Sequence, residues 1–176
     1  MNFAGMEHPF ARLTVKVQTP LTGSNAIDLT KLTKIVFNDN LHKFEKVTLD
    51  ASESASTSYW NIHYYSTAAE HTFAPSVGDI KTDASVKYYV LDDIYVQPGT
   101  VPVNSELLRL FYVDSALGLN NEYPLKRTGS ELKFEKNKKY NITVMLTKTE
   151  ITEMGVSIKD WTAGEDIDDG NASIDK

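Results

Sequence analysis

From Tyr140 to Leu146 every second residue is large and apolar: Tyr140, Ile142, Val144 and Leu146. Asn141 and Thr143 lie between them, and Met145 is the one exception. In an extended chain alternate side chains point to opposite faces, so this pattern commits the segment to a strand with one face in a core. LKF before it (132–134) and MGVSIKDW after it (154–161) repeat the pattern, with Asn137 and TKTE (147–150) as turns. A three-strand antiparallel meander over 132–161 is the simplest reading, with Trp161 closing the last core strand.

The rest of the chain reads the same way. ARLTVKVQT (11–19) sets Leu13, Val15 and Val17 against Arg12, Thr14, Lys16 and Gln18, and PLTGSN (20–25) has the composition of a loop. Ile35 and Phe37 mark a short strand ending at Asn38-Asp39-Asn40. KFEKVTL (43–49) is a weaker strand with Val47 and Leu49 in phase. ASESASTS (51–58) is too small and polar to bury much and predicts an exposed loop. YWNIHYYS (59–66) has Trp60, Ile62 and Tyr64 in phase, followed by a short helical turn near 67–72. In VKYYVLDDIYVQPGT (86–100), Val86, Tyr88 and Val90 are in phase, and Ile94 and Val96 form a second pair before Pro98-Gly99. ELLRLFYVDS (106–115) is apolar on both faces, as a central strand is, and EYPLK (122–126) suits an edge strand beside it. Eight to ten short strands, frequent turn signals and no long helix together predict an all-β sandwich or barrel.

Length and composition fit one sizeable core. The chain has 176 residues, 41% of them apolar and 24% charged. No apolar run reaches the roughly 18–20 residues of a membrane helix, and MNFAGMEHPFARL lacks the basic and apolar regions of a signal peptide. There is no cysteine, which excludes disulfides, thiolate metal sites and a lipobox within this chain. Glu165, Asp166, Asp168, Asp169 and Asp175 against Lys176 place −4 of the net −6 in residues 164–176 and leave −2 for the rest. Without a basic stripe, a nucleic-acid partner is not expected.

Motifs for chemistry are sparse. His8, His42, His63 and His71 form neither HExxH nor HxH, and no G-x-S-x-G or phosphate-cradling glycine loop occurs. No catalytic, cofactor or metal site is therefore assigned. Asp92-Asp93 interrupts an apolar strand; adjacent strand residues face opposite ways, so a bulge or tight turn is expected rather than a working carboxylate pair. EDIDDGNAS (165–173) departs from an EF-hand loop: counted from Asp166, Gly170 falls at the fifth position and no Glu follows. It reads as a flexible acidic tail with at most weak calcium affinity. Asn141-Ile-Thr143 and Asn171-Ala-Ser173 match the glycosylation sequon, a motif short enough to occur by chance. Among the nine tyrosines, Tyr64-Tyr65 and Tyr88-Tyr89 put one ring on each face of their strands. Cross-strand aromatic pairing is the ordinary use of such rings, and an outward ring offers a stacking surface to a sugar or a partner protein. Tyr65, Tyr89 and Tyr95 are the candidates for such contact.

Several of these stretches, in order, resemble the fimbrillin-like (Mfa-like) family of Bacteroidetes surface proteins. FAGMEHPFARLTVKV is similar to that family's F-x-H-x-[LF]-A-[RK]-[LV] strand, through His8, Ala11, Arg12 and Leu13. DDIYVQPGTVP resembles its apolar strand running into a Pro-Gln or Gln-Pro turn. The 132–164 stretch, L-x-F-x-x-N-K-x-Y-x-I-T-V-x-L and then V-S-I-x-D-W-T-x-G, resembles its Gly-Lys-x-Tyr turn, strand and closing I-x-x-W. The order holds over roughly residues 8–164. Asn137 replaces the usual Gly, which a turn tolerates because Asn accepts positive φ. Relatives carry a lipoprotein signal and an N-terminal portion before the His-containing strand, where this chain begins, so it reads as a compact member or a fragment.

The resemblance implies an antiparallel Greek-key β-sandwich of transthyretin-like type over residues 1–163. Residues 1–19 would belong to or complete a preceding domain, and 164–176 would be the tail. It implies a non-enzymatic pilus subunit or surface adhesin at the cell surface, outer membrane or extracellular fimbrium, partnered by other pilin-type subunits or by host or bacterial surface ligands. Subunits of such pili join by strand exchange, in which a donated strand satisfies an open sheet and its apolar groove. Leu13, Val15, Val17, Ile142 and Val144 are the expected exchange edge. A carbohydrate- or protein-binding sandwich that never polymerises is the alternative.

Overall fold

The computed structural model describes residues 8–49 and 60–161. The polar segment 51–58, the acidic tail with its calcium and Asn171 readings, and the side-chain phases of Val47, Leu49, Trp60 and Ile62 lie outside the described residues. Thirteen strands occur among the described residues: β1 (Ala11–Pro20), β2 (Leu32–Phe37), β3 (His42–Leu49), β4 (Trp60–Ala68), β5 (Glu70–Thr72), β6 (Lys81–Asp83), β7 (Val86–Val96), β8 (Gly99–Val101), β9 (Glu106–Asp114), β10 (Leu119–Lys126), β11 (Leu132–Phe134), β12 (Lys138–Leu146) and β13 (Ile151–Asp160).

Two layers enclose one core, as the alternation of apolar residues requires. The larger sheet runs β13-β12-β1-β7-β3-β4, with β6 also on β7, and the smaller runs β10-β9-β2-β5. The inward residues of β1 and β12 are fully or almost fully buried, and they face Leu32, Ile35, Leu108, Leu110 and Tyr123 of the smaller sheet. The all-β sandwich expected from the turn spacing is what the structure shows. Its larger sheet is mixed, because β1 pairs parallel to β12 and antiparallel to β7.

Two local expectations are corrected. LKF (β11) does not continue a meander onto β12; it pairs with β8 in a separate ribbon. The reason is occupancy, since the edge of β12 that a meander would need is taken by β1. The helical turn expected near 67–72 is instead the end of β4 and all of β5, and a 3-10 turn lies later, at Val77–Asp79. Ala69 explains the difference: its carbonyl accepts from Phe37 N–H at 2.9 Å and its N–H donates to the Leu41 carbonyl at 2.7 Å, which holds the chain extended between the layers.

Other expectations hold. β9 is central and β10 an edge, where Pro124 costs no ladder bond. Beside that edge Arg127 and Glu153 form a well-buried ion pair that ties the end of β10 to β13. Gly99 begins β8 against the Asn38–Asn40 turn, where an added Cβ would lie 2.5 Å from the Asn40 carbonyl oxygen.

Tyr140 joins β12 to the ribbon. Its ring packs 4.6 Å from that of Phe134. Its hydroxyl donates to the Lys133 carbonyl at 2.9 Å and accepts from Glu135 N–H at 2.7 Å. Burial holds this phenol above its ordinary pKa. Tyr140→Phe keeps the packing and loses both bonds, so urea denaturation should show a loss of about 1–2 kcal/mol with the m-value unchanged.

Candidate functional site

β1 is the strand around which the candidate site is built. Ala11, Leu13, Val15, Val17 and Thr19 point inward and are fully buried, while Arg12, Thr14, Lys16 and Gln18 lie half-buried on the outer face. Leu13 lies opposite Tyr140 of β12 and Ile94 of β7; Val15 lies opposite Ile142 and Leu91; Val17 lies opposite Val144 and Tyr89. No hairpin joins β1 to either neighbour. From Pro20 the chain runs through the exposed Thr22–Asn25 loop and a 3-10 turn at Leu29–Lys31 into β2, in the other sheet.

The structure gathers all five expected exchange residues, Leu13, Val15, Val17, Ile142 and Val144, into one buried seam. The seam is not an edge. β1 is paired on both sides, and β12 has β13 beyond it, so the slot these residues line is filled by the chain's own strand. The terminal strand of the larger sheet on that flank is β13, with a register shift opposite Thr143/Val144 and with Met154 and Ile158 more than half exposed.

Asp92-Asp93 is the expected bulge. Leu13 pairs with Ile94 and Val15 with Leu91, so both aspartates stand opposite the single residue Thr14. Asp93 adopts φ 57°. Arg12 pairs with Asp93 at 2.7 Å and lies 3.6 Å from Asp92, while Thr14 Oγ1 donates to Asp92 at 2.5 Å. The carboxylates are structural, fastening the outer face of β7 to that of β1.

The bulge also reverses the strand's phase, which redistributes the tyrosines. Tyr89 turns inward and packs at the core margin, 5.8 Å from Phe73. Burial, then the nearby Asp79, hold its phenol above the ordinary pKa. As an outward contact residue Tyr89 is therefore corrected: the outward ring of that pair is Tyr88, which lies under Lys16 Nζ at 4.0 Å. Tyr95 faces outward but is engaged by Phe10, Trp161 and Asp93. Tyr65, on β4, is 47% exposed and keeps the accessible face expected of it. The three tyrosines do not converge.

A feature the sequence reading missed lies at the N-terminal end of β1. Trp161 is 3% exposed, yet it is outside the core between the sheets. It covers the outer face, where Arg12, Tyr95 and Lys139 stand side by side in register. Its ring stacks on His8 at 3.6 Å with 6° between planes and lies 5.5 Å from Phe10 and 5.8 Å from Tyr95. Arg12 and Lys139 approach its face at 5.9 and 5.7 Å. Asn137, at φ 61°, ties the group together. Trp161 N–H donates to the Asn137 carbonyl at 3.0 Å, Asn137 N–H to the Phe10 carbonyl at 3.2 Å, and His8 N–H to Asn137 Oδ1 at 3.4 Å. Pairs of aromatic residues so far apart in the chain leave no periodic signal, though the Asn137 turn itself was legible.

The remaining histidines are scattered: His42 opens β3, His63 is exposed on β4, and His71 on β5 is held below its ordinary pKa by burial and then by Lys43. Among the described residues no group of three or more His, Asp or Glu side chains could hold a metal ion, and no helix is long and apolar enough to cross a membrane.

No family model matches the chain, and no curated protein sequence does. Among solved structures, it is similar to a "putative cell adhesion protein" from Bacteroides uniformis, with a TM-score of 0.46 and 14% identity over 89% of this chain and 52% of that one. It is also similar to a fimbrial protein from Bacteroides vulgatus, with a TM-score of 0.37 and 18% identity over 89% of this chain and 55% of that one. The chain spans about half the length of both.

Positive φ at Asn137 makes a direct prediction. A β-branched residue there pays the left-handed penalty of about 1–2 kcal/mol, whereas Gly does not. Thermal melts should place Asn137→Gly near the parent and Asn137→Val well below it. Equal melting temperatures for the two variants would mean that the turn does not require this backbone geometry.

Proposed function

We propose that the chain is a non-enzymatic structural or adhesive protein of a bacterial surface, a fimbrillin-like pilus subunit or accessory component that assembles by β-strand exchange. Its place would be the outer membrane or an extracellular fimbrium, and its partners other pilin-type subunits. In this reading residues 1–163 form a transthyretin-like sandwich, the first strand is the exchangeable element, and 164–176 form a tail. The resemblance of the sequence supplies the family. The two Bacteroides structures bear names of that kind, at a similarity too low to add weight.

The observation that carries the mechanism is the setting of β1. It fills a slot between two strands that are both remote from it in sequence. If it left, β7 and β12 would each present an unpaired ladder edge. Between them would lie an apolar groove floored by Leu91, Ile94, Val96, Ile142 and Val144. Full burial of one Leu or Val is worth about 1.5–3 kcal/mol, so another strand with the same alternation would recover most of what β1 contributes.

The test uses the whole folded chain with a specific protease site placed between Gly23 and Ser24, in the exposed loop after β1. After cleavage, a labelled peptide spanning residues 8–20 should enter the slot and displace β1. The same peptide carrying Val15→Asp and Val17→Asp should not. No uptake over days, or equal uptake of both peptides, would sink the proposal. A binding module that never polymerises would take up neither, and would lose glycan or protein binding on Tyr65→Ala.

A further inference from the structure

The two ends of β1 are held differently. At its C-terminal end the strand continues covalently into the fold, and Leu21 N–H donates to the Ser85 carbonyl at 2.8 Å. Its N-terminal end is held by the group around Trp161. That group joins the segment before the first strand (His8, Phe10) to the residue after the last strand, through the Asn137 turn. Trp161 packs on the outer face of the sheet, against His8, Phe10 and Tyr95, apart from the cluster of side chains between the sheets.

From this geometry we infer that Trp161 is a latch on β1: stacked on His8 and bonded to Asn137, it sets how often the strand leaves its slot. A paired strand opens from an end, where the fewest contacts must break. Opening from the N-terminal end begins at Ala11 and Arg12. There the indole lies 5.9 Å from the Arg12 guanidinium, which also pairs with Asp93 at 2.7 Å, and the His8 and Phe10 rings pack on the indole just ahead of the strand. Phe10 also accepts a main-chain bond from Asn137, whose own carbonyl holds the Trp161 amide. Lifting the indole therefore releases both ring and main-chain contacts on the residues just before β1. The inference rests on the strand-exchange reading for its biological meaning, and on the contacts alone for its physics.

Amide hydrogen exchange on the full, uncleaved chain tests it. Trp161→Ala should speed exchange at Thr14–Gln18 of β1 about tenfold or more, and leave Leu108–Tyr112 of β9 unchanged. His8→Ala, which removes the ring stacked on the indole, should give the same pattern at smaller size, and Trp161→Phe should fall between His8→Ala and the parent. A uniform rise across both sheets would overturn the latch, since Trp161 would then be an ordinary stabilising residue. So would no change at β1. Peptide uptake by the loop-cleaved protein separates the two ideas. Uptake that Trp161→Ala accelerates about tenfold or more supports both. Uptake at one rate in both proteins overturns the latch and leaves strand exchange standing. A selective exchange effect without any uptake supports the latch and overturns strand exchange.

Discussion

Everything in the larger sheet is joined through β1. In the order β13-β12-β1-β7-β3-β4, the β12–β13 hairpin lies on one side and β7 with its partners on the other, and among the described residues no other strand connects them. Two ladders and five fully buried inward side chains make that connection. Neither neighbour is close to β1 in sequence, so its place is set by side-chain fit and main-chain pairing rather than by a turn. The parallel pairing with β12 follows from the same fact. A strand whose connection runs to the other sheet is free of the antiparallel geometry that a hairpin imposes.

The alternation made the strands and their inward faces legible. Leu13, Val15 and Val17 on β1, and Tyr140, Ile142, Val144 and Leu146 on β12, all read correctly from a period of two. Pro124 marked an edge, Asp92-Asp93 a bulge and Asn137 a positive-φ turn, because each of those residues is tolerated or favoured in few backbone settings. Pairing was not legible. Main-chain groups are the same in every strand, so nothing in LKF says that it joins β8 rather than β12. The tyrosines show how one local feature misleads a longer pattern. Val86, Tyr88, Val90, Ile94 and Val96 share one parity in sequence, but the bulge between them puts the first three outward and the last two inward. Tyr89 and Tyr95, also of one parity, lie on opposite faces for the same reason.

Two kinds of interaction hold β1, and they differ in what could replace them. The ladders and the inward side chains ask only for an extended segment with apolar residues at every second position. The contacts of Trp161 ask for something else: a ring that stacks on the indole and a main-chain carbonyl that meets Asn137, both supplied by the two or three residues before the alternation begins. An incoming strand that matched the alternation alone would gain the core and forgo the clasp, and would compete poorly with the chain's own β1. One that also carried an aromatic residue at the position of His8 or Phe10 would recover those contacts as well. Selectivity for a particular strand would then lie in the short segment ahead of it, on the outer face of the sheet, rather than in the buried residues that supply most of the stability.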